Sequence, residues 1–497
     1  MTGPLCTRVA QACDQVAGIL SDGSGQDLVR RVREGLDEPL RVAVAGRVNA
    51  GKSTLVNALL RQRVAPTDVS ECTRYVTWYR YGVPERLEVV SRDGSRQRMA
   101  LLADGSLPRS PTEPGQDVDH LDVYLAHDAL RDLVLIDTPG LGSLNAEYSA
   151  ATIEVLGLDG DSRQAVAQAD ALVFVLTATL RSDEAIVLKS FRDALEGTSA
   201  SSLSALCVLN KADLVSDGDD PLEAATALAD QFSESLRDVV AVVRPVVSLL
   251  AESVETGRFT EAHAVALRAL ASLPEATQRS LLLSVDRFAT ADVPVAASDR
   301  AELLNILGLY GVEVALRLVT QGRQTAAQLH DDLRARSGVE SLRGLLLGTF
   351  ARNADALKAS GALAALERLS YAMADPALAD ARRDLHDEID AVRIDPSMHR
   401  LQELRALQEC ATGQVTLPGE LEGDLRRLAS GVSPAERLGL PTSASGDELQ
   451  RAASAAASSW KRFRNDGRAS PGQQWVADVM TRSCERLWVE AGEGAAR

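Results

Sequence analysis

Residues 46–54 read GRVNAGKST, and they lie between an apolar run at residues 40–45 and a helical pattern that begins at Leu55. Two glycines allow successive backbone N–H groups to converge on a phosphate, and the following helix points its positive N-terminus at the same place. Lys52 adds a point charge for the β- and γ-phosphates, and the Ser53 hydroxyl is placed to ligate magnesium. This stretch is therefore predicted to be a phosphate-binding loop, formed by Gly46, Arg47, Val48, Asn49, Ala50, Gly51, Lys52, Ser53 and Thr54.

The length and composition of the chain predict more than one domain. A chain of 497 residues exceeds what a single hydrophobic core usually supports. Its apolar content of 45% allows well-packed cores, whereas aromatic residues make up only 4%. Because Ala and Leu dominate the second half of the chain, we expect helix-on-helix packing there rather than a large sheet.

The charge balance and the cysteines restrict the partners and the compartment. The 70 acidic and 53 basic residues give a net charge of -17, which argues against a nucleic-acid partner. Six cysteines lack CxxC spacing and nearby histidines, so a reduced cytosol fits better than a zinc site or a disulfide framework. The sequence shows neither a secretory leader nor an apolar run of about 18 residues, so we expect a cytoplasmic protein with peripheral membrane contact only.

Strand and helix patterns alternate between residues 40 and 248. The strand-like runs are 40–46, 75–81, 87–91, 121–126, 133–137, 171–177, 205–209 and 239–248, and the helical patterns are 52–62, 149–168, 183–197 and 221–237. This alternation predicts a doubly wound, mostly parallel α/β sheet of the P-loop GTPase class. Residues 93–118, rich in Gly, Pro, Ser and Asp, are assigned to a loop or hairpin without chemistry.

Helical patterns alone continue from residue 260 to the C-terminus, and two more precede the sheet at residues 5–20 and 28–36. We expect the helical second half to bury the apolar faces of these two N-terminal helices, the alternative being the flank of the sheet. The predicted domains are the N-terminal helices, the nucleotide domain and an elongated all-α bundle, at residues 1–37, 38–258 and 259–497. Residues 299–336 would span about 55 Å as one helix, unless Gly308, Gly311 or Gly322 kinks it.

A threonine and a strand-ending carboxylate are expected to complete the phosphate side of the site. Thr73 lies in a loop before a strand, where its hydroxyl can reach magnesium and the γ-phosphate. Asp137 ends an apolar strand, so its carboxylate can hold magnesium through water, and the N–H group of Gly140 can contact the γ-phosphate. We therefore predict Mg²⁺ as the cofactor, with Ser53, Thr73 and Asp137 as its ligands.

A third motif, NKAD at residues 210–213, follows another apolar strand and is expected to select the base. The Asp213 carboxylate can accept from both N1–H and the 2-amino group of guanine, a pair of donors that adenine lacks. Asn210 can meet the purine edge, and the stem of Lys211 can pack on the ring. The order of the three motifs predicts that the chain binds GTP.

At this point the chain resembles the dynamin superfamily of large GTPases, and more closely the bacterial dynamin-like proteins of actinobacteria that are often encoded as tandem pairs. The resemblance covers most of the chain, and its carriers are GRVNAGKSTLVNALL (46–60), ECTRYVTWYRYG (71–82), DTPGLGS (137–143), LNKADL (209–214), PVVSLLAESVETG (245–257) and ILGLYGVEVAL (306–316). It implies a GTPase head on a helical neck and trunk, with residues 1–37 in the neck. It also implies nucleotide-dependent dimerisation, with a second copy or a paralogue, and remodelling of membranes.

Some positions depart from the related patterns. Ras-like enzymes place a water-orienting Gln after the DTPG glycine, where this chain has Leu141. In the eukaryotic dynamin pattern a Gln and a Ser help to position water and a cation, and here Val48 and Asn49 occupy those positions. Asn49 still offers an oxygen, whereas Val48 cannot hydrogen-bond water; Ser248 lies where the last base-side motif is expected. The predicted catalytic residues are Lys52, Ser53, Thr73, Asn49 and Gly140, and the predicted guanine-binding residues are Asn210, Lys211, Asp213 and Ser248.

Two stretches are candidates for membrane contact. Residues 303–319 form an amphipathic pattern with a wide apolar face, for which a helical core is the preferred interpretation and membrane contact the alternative. The cluster Trp460–Arg464 (WKRFR) combines aromatic and basic side chains that could favour anionic lipid, although such a run is more often a helix end.

The sequence thus indicates a dynamin-like GTPase that hydrolyses GTP at the cytoplasmic face of a membrane. One alternative is a GTP-binding scaffold, or a subordinate partner of a paralogue, with little hydrolysis of its own, because Val48 weakens the water-positioning set. A more remote alternative is a ribosome-assembly GTPase, since such factors share the GRxNxGKSTLxN style of loop. Those factors append a basic RNA-binding domain, whereas the appended half of this chain is helical and acidic.

Overall fold

The computed structural model describes residues 3–19, 23–67, 75–108, 117–139, 168–178, 204–215, 221–236, 239–372, 379–411, 413–431 and 433–495. The strands are β1 (Leu40–Gly46), β2 (Thr77–Tyr81), β3 (Arg86–Ser91), β4 (Arg96–Met99), β5 (Val118–Leu125), β6 (Leu133–Asp137), β7 (Ala171–Leu176), β8 (Ala205–Asn210) and β9 (Val243–Val246). They form one nine-stranded sheet in the order β4-β3-β5-β2-β6-β1-β7-β8-β9.

The sheet has a parallel half and a largely antiparallel half. Strands β6, β1, β7, β8 and β9 are parallel neighbours. Strands β6, β7 and β8 are apolar runs buried on both faces, whereas β1 and β9 each contain one half-buried arginine. Beyond them β2 pairs antiparallel with β6, β5 pairs parallel with β2, and β3 and β4 continue with antiparallel pairing. The predicted mostly parallel α/β sheet is therefore confirmed. Within residues 93–118, assigned to a loop or hairpin, β4 forms an antiparallel hairpin with β3, and its residues are mostly exposed.

Helices cover both faces of the sheet and continue to the C-terminus. Those before and within the sheet are α1 (Pro4–Ile19), α2 (Gly23–Asp37), α3 (Lys52–Leu60), α4 (Pro221–Ser235) and α5 (Ser248–Glu255). Those that follow are α6 (Glu261–Ala271), α7 (Glu275–Leu281), α8 (Val285–Thr290), α9 (Ala297–Thr320), α10 (Ala326–Arg336), α11 (Val339–Leu345), α12 (Ala354–Ala372), α13 (Ala379–Arg393), α14 (His399–Ala411), α15 (Gly419–Ser430), α16 (Pro434–Arg437), α17 (Gly446–Arg464) and α18 (Pro471–Ala495). The helical second half of the chain agrees with the low aromatic content.

One hydrophobic core runs from the α3 face of the sheet into a bundle of α1, α2, α12 and α13. Two side chains of α12 hold the ends of the N-terminal helices in this bundle. The Asp355 carboxylate accepts from the backbone N–H groups of Leu5 (3.1 Å) and Cys6 (3.0 Å) at the start of α1. The buried Lys358 ammonium donates to the carbonyls of Leu36 (2.8 Å) and Glu38 at the end of α2. Both contacts satisfy helix termini that lack intrahelical partners.

A second core covers the opposite face of the sheet with α4, α6, α9 and α10, so the helices from residue 261 to 336 share a core with the strands. The predicted long helix 299–336 is divided, because α9 ends at Thr320 and Gly322 has a φ of 96°. Gly308, with a φ of 66°, also kinks α9. By length and composition α9 could cross a membrane, but 61% of its most apolar window is buried, which favours the core interpretation.

A third core joins α14, α15, α17 and α18. Trp460 is fully buried there, and its ring meets Phe463 edge-on at 6.5 Å between centroids. Lys461 pairs with Glu485 at 2.7 Å, and Arg464 pairs with Asp478, both across the α17–α18 hairpin. The aromatic–basic cluster therefore packs the hairpin rather than presenting its tryptophan to lipid.

Candidate nucleotide site

The phosphate-binding loop connects β1 to α3 in a backbone conformation that demands particular residues. Gly51, with a φ of 92°, precedes α3, and a Cβ there would lie 2.1 Å from Asn210 Nδ2. A Cβ on Gly46 would lie 2.4 Å from the Val175 carbonyl oxygen on β7. Both glycines are therefore required by close approach as well as by φ. Asn49 is exposed at the tip of the loop with a φ of 61°.

Lys52 is the first residue of α3, and its ammonium group lies inside the loop. Nζ donates to the carbonyl oxygens of Gly46 (3.1 Å) and Arg47 (3.0 Å), and the side chain is 6% exposed. A buried ammonium must be paired, and these two carbonyls are weaker acceptors than phosphate oxygens. The loop thus holds a cation at the position where the β- and γ-phosphates of a nucleotide would lie.

Ser53 and Asp137 are brought together from α3 and the end of β6. The Ser53 hydroxyl donates to Asp137 Oδ2 at 2.9 Å, and Asp137 is completely buried. Next to it, the buried Thr138 hydroxyl donates to the Val44 carbonyl at 3.0 Å, which fixes the end of β6 against β1. A hydroxyl and a carboxylate at this spacing are the hard oxygen ligands that Mg²⁺ takes, so these two residues fit the predicted cofactor.

Asn210 joins the phosphate side of the site to the base side. Its Nδ2 donates to the Ala50 carbonyl at 2.6 Å, and its Oδ1 accepts from the backbone N–H of Ser248 at 3.1 Å. The side chain is 2% exposed. These bonds use the amide oxygen and one of the two N–H groups on Nδ2, and the contact of Asn210 with the purine edge stays a prediction. Asn210 therefore positions the phosphate-binding loop against the first residue of α5.

The other base-side residues lie around the end of β8. Lys211 is exposed with a φ of 55°, which turns the chain sharply after the strand. Burial raises the pKa of the Asp213 carboxyl, an effect that its own backbone hydrogen bond and the charge of Lys211 partly oppose. Ser248 is 2% exposed at the start of α5. The structure thus links Ser248 to the loop through Asn210, and it places Lys211 and Asp213 on the turn that follows β8.

Two predicted residues, Thr73 and Gly140, lie outside the described residues. Conversely, the structure adds residues that the motifs did not indicate. Asn57 on α3 donates to Glu252 Oε1 on α5 at 2.7 Å, and its Oδ1 accepts from the N–H groups of Val64 and Ala65. A polar residue inside the apolar pattern of α3 was the available sequence signal. Asn57 is fully buried and ties α3 both to α5 and to the segment that leads towards Thr73.

Comparisons with known proteins place this site in a family. A family model described as 50S ribosome-binding GTPase matches residues 41–211, which run from β1 to Lys211. Dynamin-like protein 2 of Campylobacter jejuni is 29% identical over 126 residues, covering 24% of this chain and 20% of that protein. A solved structure of an oligomerised bacterial dynamin pair covers 98% of this chain and 91% of its own, at 13% identity and a TM-score of 0.34.

A much longer match is the isoniazid-induced protein IniC of Mycobacterium tuberculosis. It is 36% identical over 470 residues, which cover 93% of this chain and 92% of IniC. The match therefore includes the nucleotide site and the helical second half together. The chain belongs to the family of IniC, and part of it is also similar to bacterial dynamin-like proteins.

Proposed function

We propose that this protein hydrolyses GTP to GDP and phosphate, and that it couples nucleotide-dependent dimerisation to the remodelling of a membrane at its cytoplasmic face. The observation that supports this best is the joined site, in which one buried amide, Asn210, links the loop around Lys52 to the base-side residue Ser248. Such a link makes phosphate and base recognition parts of one rigid unit, as a GTPase requires.

The roles of the residues follow from their positions. The Lys52 ammonium leaves the carbonyls of Gly46 and Arg47 for the β- and γ-phosphate oxygens, where it neutralises charge in the reacting complex. Ser53 and Asp137, with Thr73, would hold Mg²⁺, which supplies charge neutralisation between the two phosphates when bound. Asp213 accepts from the guanine N1–H and 2-amino groups, and Gly140 contacts the γ-phosphate.

The loop tip explains why a single copy should be a slow enzyme. Val48 is half-buried and has no group that can orient water, and Asn49 is exposed at the loop tip. We infer that two heads meet across their nucleotide faces and that Asn49 and Thr73 complete the catalytic site in the dimer. The second head is another copy or a paralogous chain. Turnover per molecule should then rise with protein concentration, while nucleotide affinity changes little.

The helical part of the chain would transmit the conformational change of the GTPase domain to the membrane. We propose residues 1–37 and 259–497 as neck and trunk and residues 38–258 as the GTPase domain, with α1 and α2 packed against α12 and α13 as the neck. Membrane contact would be peripheral, at the inner face. The resemblance of the motifs to bacterial dynamin-like proteins supports this assignment.

The test is the specific GTPase rate against enzyme concentration, alone and with liposomes of anionic lipid, alongside light scattering with a transition-state mimic. We expect the rate to rise with concentration and the protein to co-sediment with liposomes when GTP is present. A second candidate, a GTP-binding scaffold with little hydrolysis of its own, is favoured by Val48. It predicts tight GTP binding and a slow rate that does not depend on concentration or lipid.

A further inference from the structure

Helix α11 contacts both helices whose N-termini face the nucleotide site. From α11 the Arg343 guanidinium donates through Nη2 to the Ala58 carbonyl in the last turn of α3 (2.9 Å) and through Nη1 to Glu255 Oε1 at the end of α5 (3.2 Å). The Arg343 side chain is 14% exposed and that of Glu255 is 3% exposed. One guanidinium therefore joins the C-terminal ends of α3 and α5, shielded from water.

These two helices carry opposite sides of the site. Helix α3 begins with Lys52 and Ser53, and α5 begins with Ser248. Their far ends are also linked directly, because Arg61, which follows α3, pairs with Glu255 Oε2 at 2.8 Å. The Glu255 carboxylate thus lies between two arginines, one of which belongs to α11. The spacing of α3 and α5, and with it the spacing of the phosphate and base contacts, is set at this end by the Arg343–Glu255 pair.

The turn before α11 also contacts the base side of the nucleotide site, through the segment between β9 and α5. The backbone N–H of Val247 donates to the Ser337 carbonyl at 2.9 Å, and the next N–H, that of Ser248, donates to Asn210. Gly338 has a φ of 77°, and a Cβ there would lie 2.4 Å from the Pro245 carbonyl oxygen. The turn therefore lies directly on the segment between β9 and α5. At this turn the chain also passes from the core beneath α10 to the core beneath α11.

We propose that Arg343, which lies 130 residues beyond Asp213 and outside every nucleotide motif, is a positioning residue of the nucleotide site. It holds the base-side helix α5 at a fixed distance from the phosphate-side helix α3. This inference rests on the proposed function, since it concerns the same nucleotide. By thermodynamic reciprocity, a nucleotide that requires this spacing must in turn stabilise the attachment of α11.

The shape of the arginine side chain matters to this role. The planar guanidinium places two separate N–H groups on Ala58 O and Glu255 at once, whereas a lysine ammonium on a flexible stem is a single point charge. Loss of Arg343 would also leave the nearly buried Glu255 carboxylate with Arg61 as its remaining cross-helix partner. We therefore expect Arg343→Ala to weaken GDP and GTP binding about tenfold and Arg343→Lys to restore only part of it.

The experiment measures fluorescent GDP affinity and dissociation rate together with hydrogen exchange of residues 339–345, using the full chain. Wild type should bind GDP, and GDP should slow amide exchange in α11. Arg343→Ala should bind about tenfold more weakly and lose that protection, while Arg334→Ala, whose guanidinium pairs with Asp331 on its own helix, should behave as wild type. Glu255→Gln keeps the side-chain shape and provides the second variant should Arg343→Ala fail to fold.

The outcomes separate this inference from the proposed function. If Arg343 acts through Glu255, the effects of Arg343→Ala and Glu255→Gln on GDP affinity will not add in the double variant. Unchanged GDP affinity and unchanged α11 protection in folded Arg343→Ala and Glu255→Gln would overturn the positioning role and leave GTP binding intact. Absence of GDP binding by wild type would instead overturn the proposed function.

Discussion

The two halves of the sheet use polar residues in opposite ways. In the parallel half, β6, β7 and β8 are apolar up to their last residue, and the buried polar side chains come where strands end, at Asp137 of β6 and Asn210 of β8. In the antiparallel half, buried carboxylates lie inside the strands, at Glu88 of β3 and Asp122 of β5. These two residues are direct cross-strand partners.

The buried polar residues of the two halves also differ in the groups that surround them. Asp122 is 1% exposed and pairs with Arg80 at 2.8 Å and Arg96 at 3.0 Å, while Glu88 pairs with Arg86 and Arg98. The described ion pairs thus already supply each of these carboxylates with partners from neighbouring strands. Asp137 and Asn210 instead lie against the phosphate-binding loop. Position along a strand therefore separates charges that hold the sheet together from polar groups that serve a ligand.

Among the substitutions that distinguish the two halves of the sheet, Lys52→Ala is expected to have the largest effect. Removal of the ammonium takes away charge-assisted bonds to two phosphates, which together contribute about 4 to 6 kcal/mol, so nucleotide affinity should be abolished. Isothermal titration with GTP and GDP measures this. The unfolding temperature without nucleotide serves as the control, because the variant should still fold. Retention of affinity would remove the loop from the site.

Asp122→Ala in the antiparallel half is expected to lower the stability of the fold and to leave nucleotide affinity unchanged. The substitution removes the buried carboxylate shared by Arg80 and Arg96 and leaves them with Glu38 and Glu88, respectively, which should lower the free energy of unfolding by about 3 kcal/mol. Chemical denaturation monitored by circular dichroism measures the change. The matched control is Arg98→Ala, because that side chain is 76% exposed and should contribute about 1 kcal/mol or less. GDP affinity of the folded fraction should stay at the wild-type value, and a loss of affinity would contradict the division.

A change of ligand without a change of fold is expected from Asp213→Asn in the parallel half. GTP binding should weaken by about 2 to 4 kcal/mol, because the carboxylate accepts two donors that only guanine presents. Xanthine nucleotide should be favoured instead, since its 2-oxo group can accept from the new amide. Titration of the variant with both nucleotides tests this, and undiminished GTP affinity would refute the base-side assignment.

The smallest effect is a pH dependence that the antiparallel half contributes to stability. Burial by itself raises the pKa of Asp122, but the His120 hydrogen bond and Arg80 outweigh it and lower that pKa to about 2. A lowered folded-state pKa gives stability that is present above about pH 4 and is lost as the pH falls towards 2, amounting to about 2 kcal/mol. Glu88, whose pKa is lowered chiefly by its Arg86 hydrogen bond, acts in the same direction. When denaturation is measured at a series of pH values, the free energy of unfolding should fall towards acid pH. This fall should be smaller in Asp122→Asn.

His120 makes the stability depend on pH in the opposite direction, so that stability falls as the pH rises. Burial lowers its pKa, but hydrogen bonds to Asp122 and Asp119 outweigh this effect and raise the pKa above 6.5. Its contribution is therefore complete below pH 6.5 and is lost as the pH rises through the raised value. A stability profile that is flat from pH 6 to 8 in wild type would contradict this role for His120.

The same contrast explains what the sequence could predict. Strands of the parallel half were predicted within a residue or two for β1, β6, β7 and β8, because an apolar run bounded by a motif is an unambiguous signal. The sequence also predicted that Ser53 and Asp137 belong to one site, and the structure places them 2.9 Å apart, whereas their roles and that of Lys52 towards a nucleotide stay predictions. The hairpin interpretation of residues 93–118 fits β4, but the bounds of this strand were not predicted, because its residues 96–99 read RQRM, a pattern that gains strand character only from pairing with β3.

Other features depend on tertiary packing that no local pattern carries. Trp460 beside basic residues is as compatible with a lipid surface as with a helix hairpin, and only the packing of α18 decides between them. The motif predicted a contact of Asn210 with the purine edge, whereas it did not indicate the bonds of the amide to Ala50 and Ser248, which are 160 and 38 residues away along the chain. The Arg343 bridge joins residues 285 positions apart, so it has no sequence signature.

The attachment of α1 to Asp355 has a consequence for synthesis. Leu5 and Asp355 are separated by 350 residues, so α1 leaves the ribosome long before the helix that completes its core exists. At roughly 5 to 20 residues per second, its apolar face, including Val9 and Cys13, waits about 20 to 70 s in the nascent chain. The strands from β1 to β9 are all translated within that interval. The N-terminal helices should therefore need a chaperone during translation, and they should join a head that has already folded.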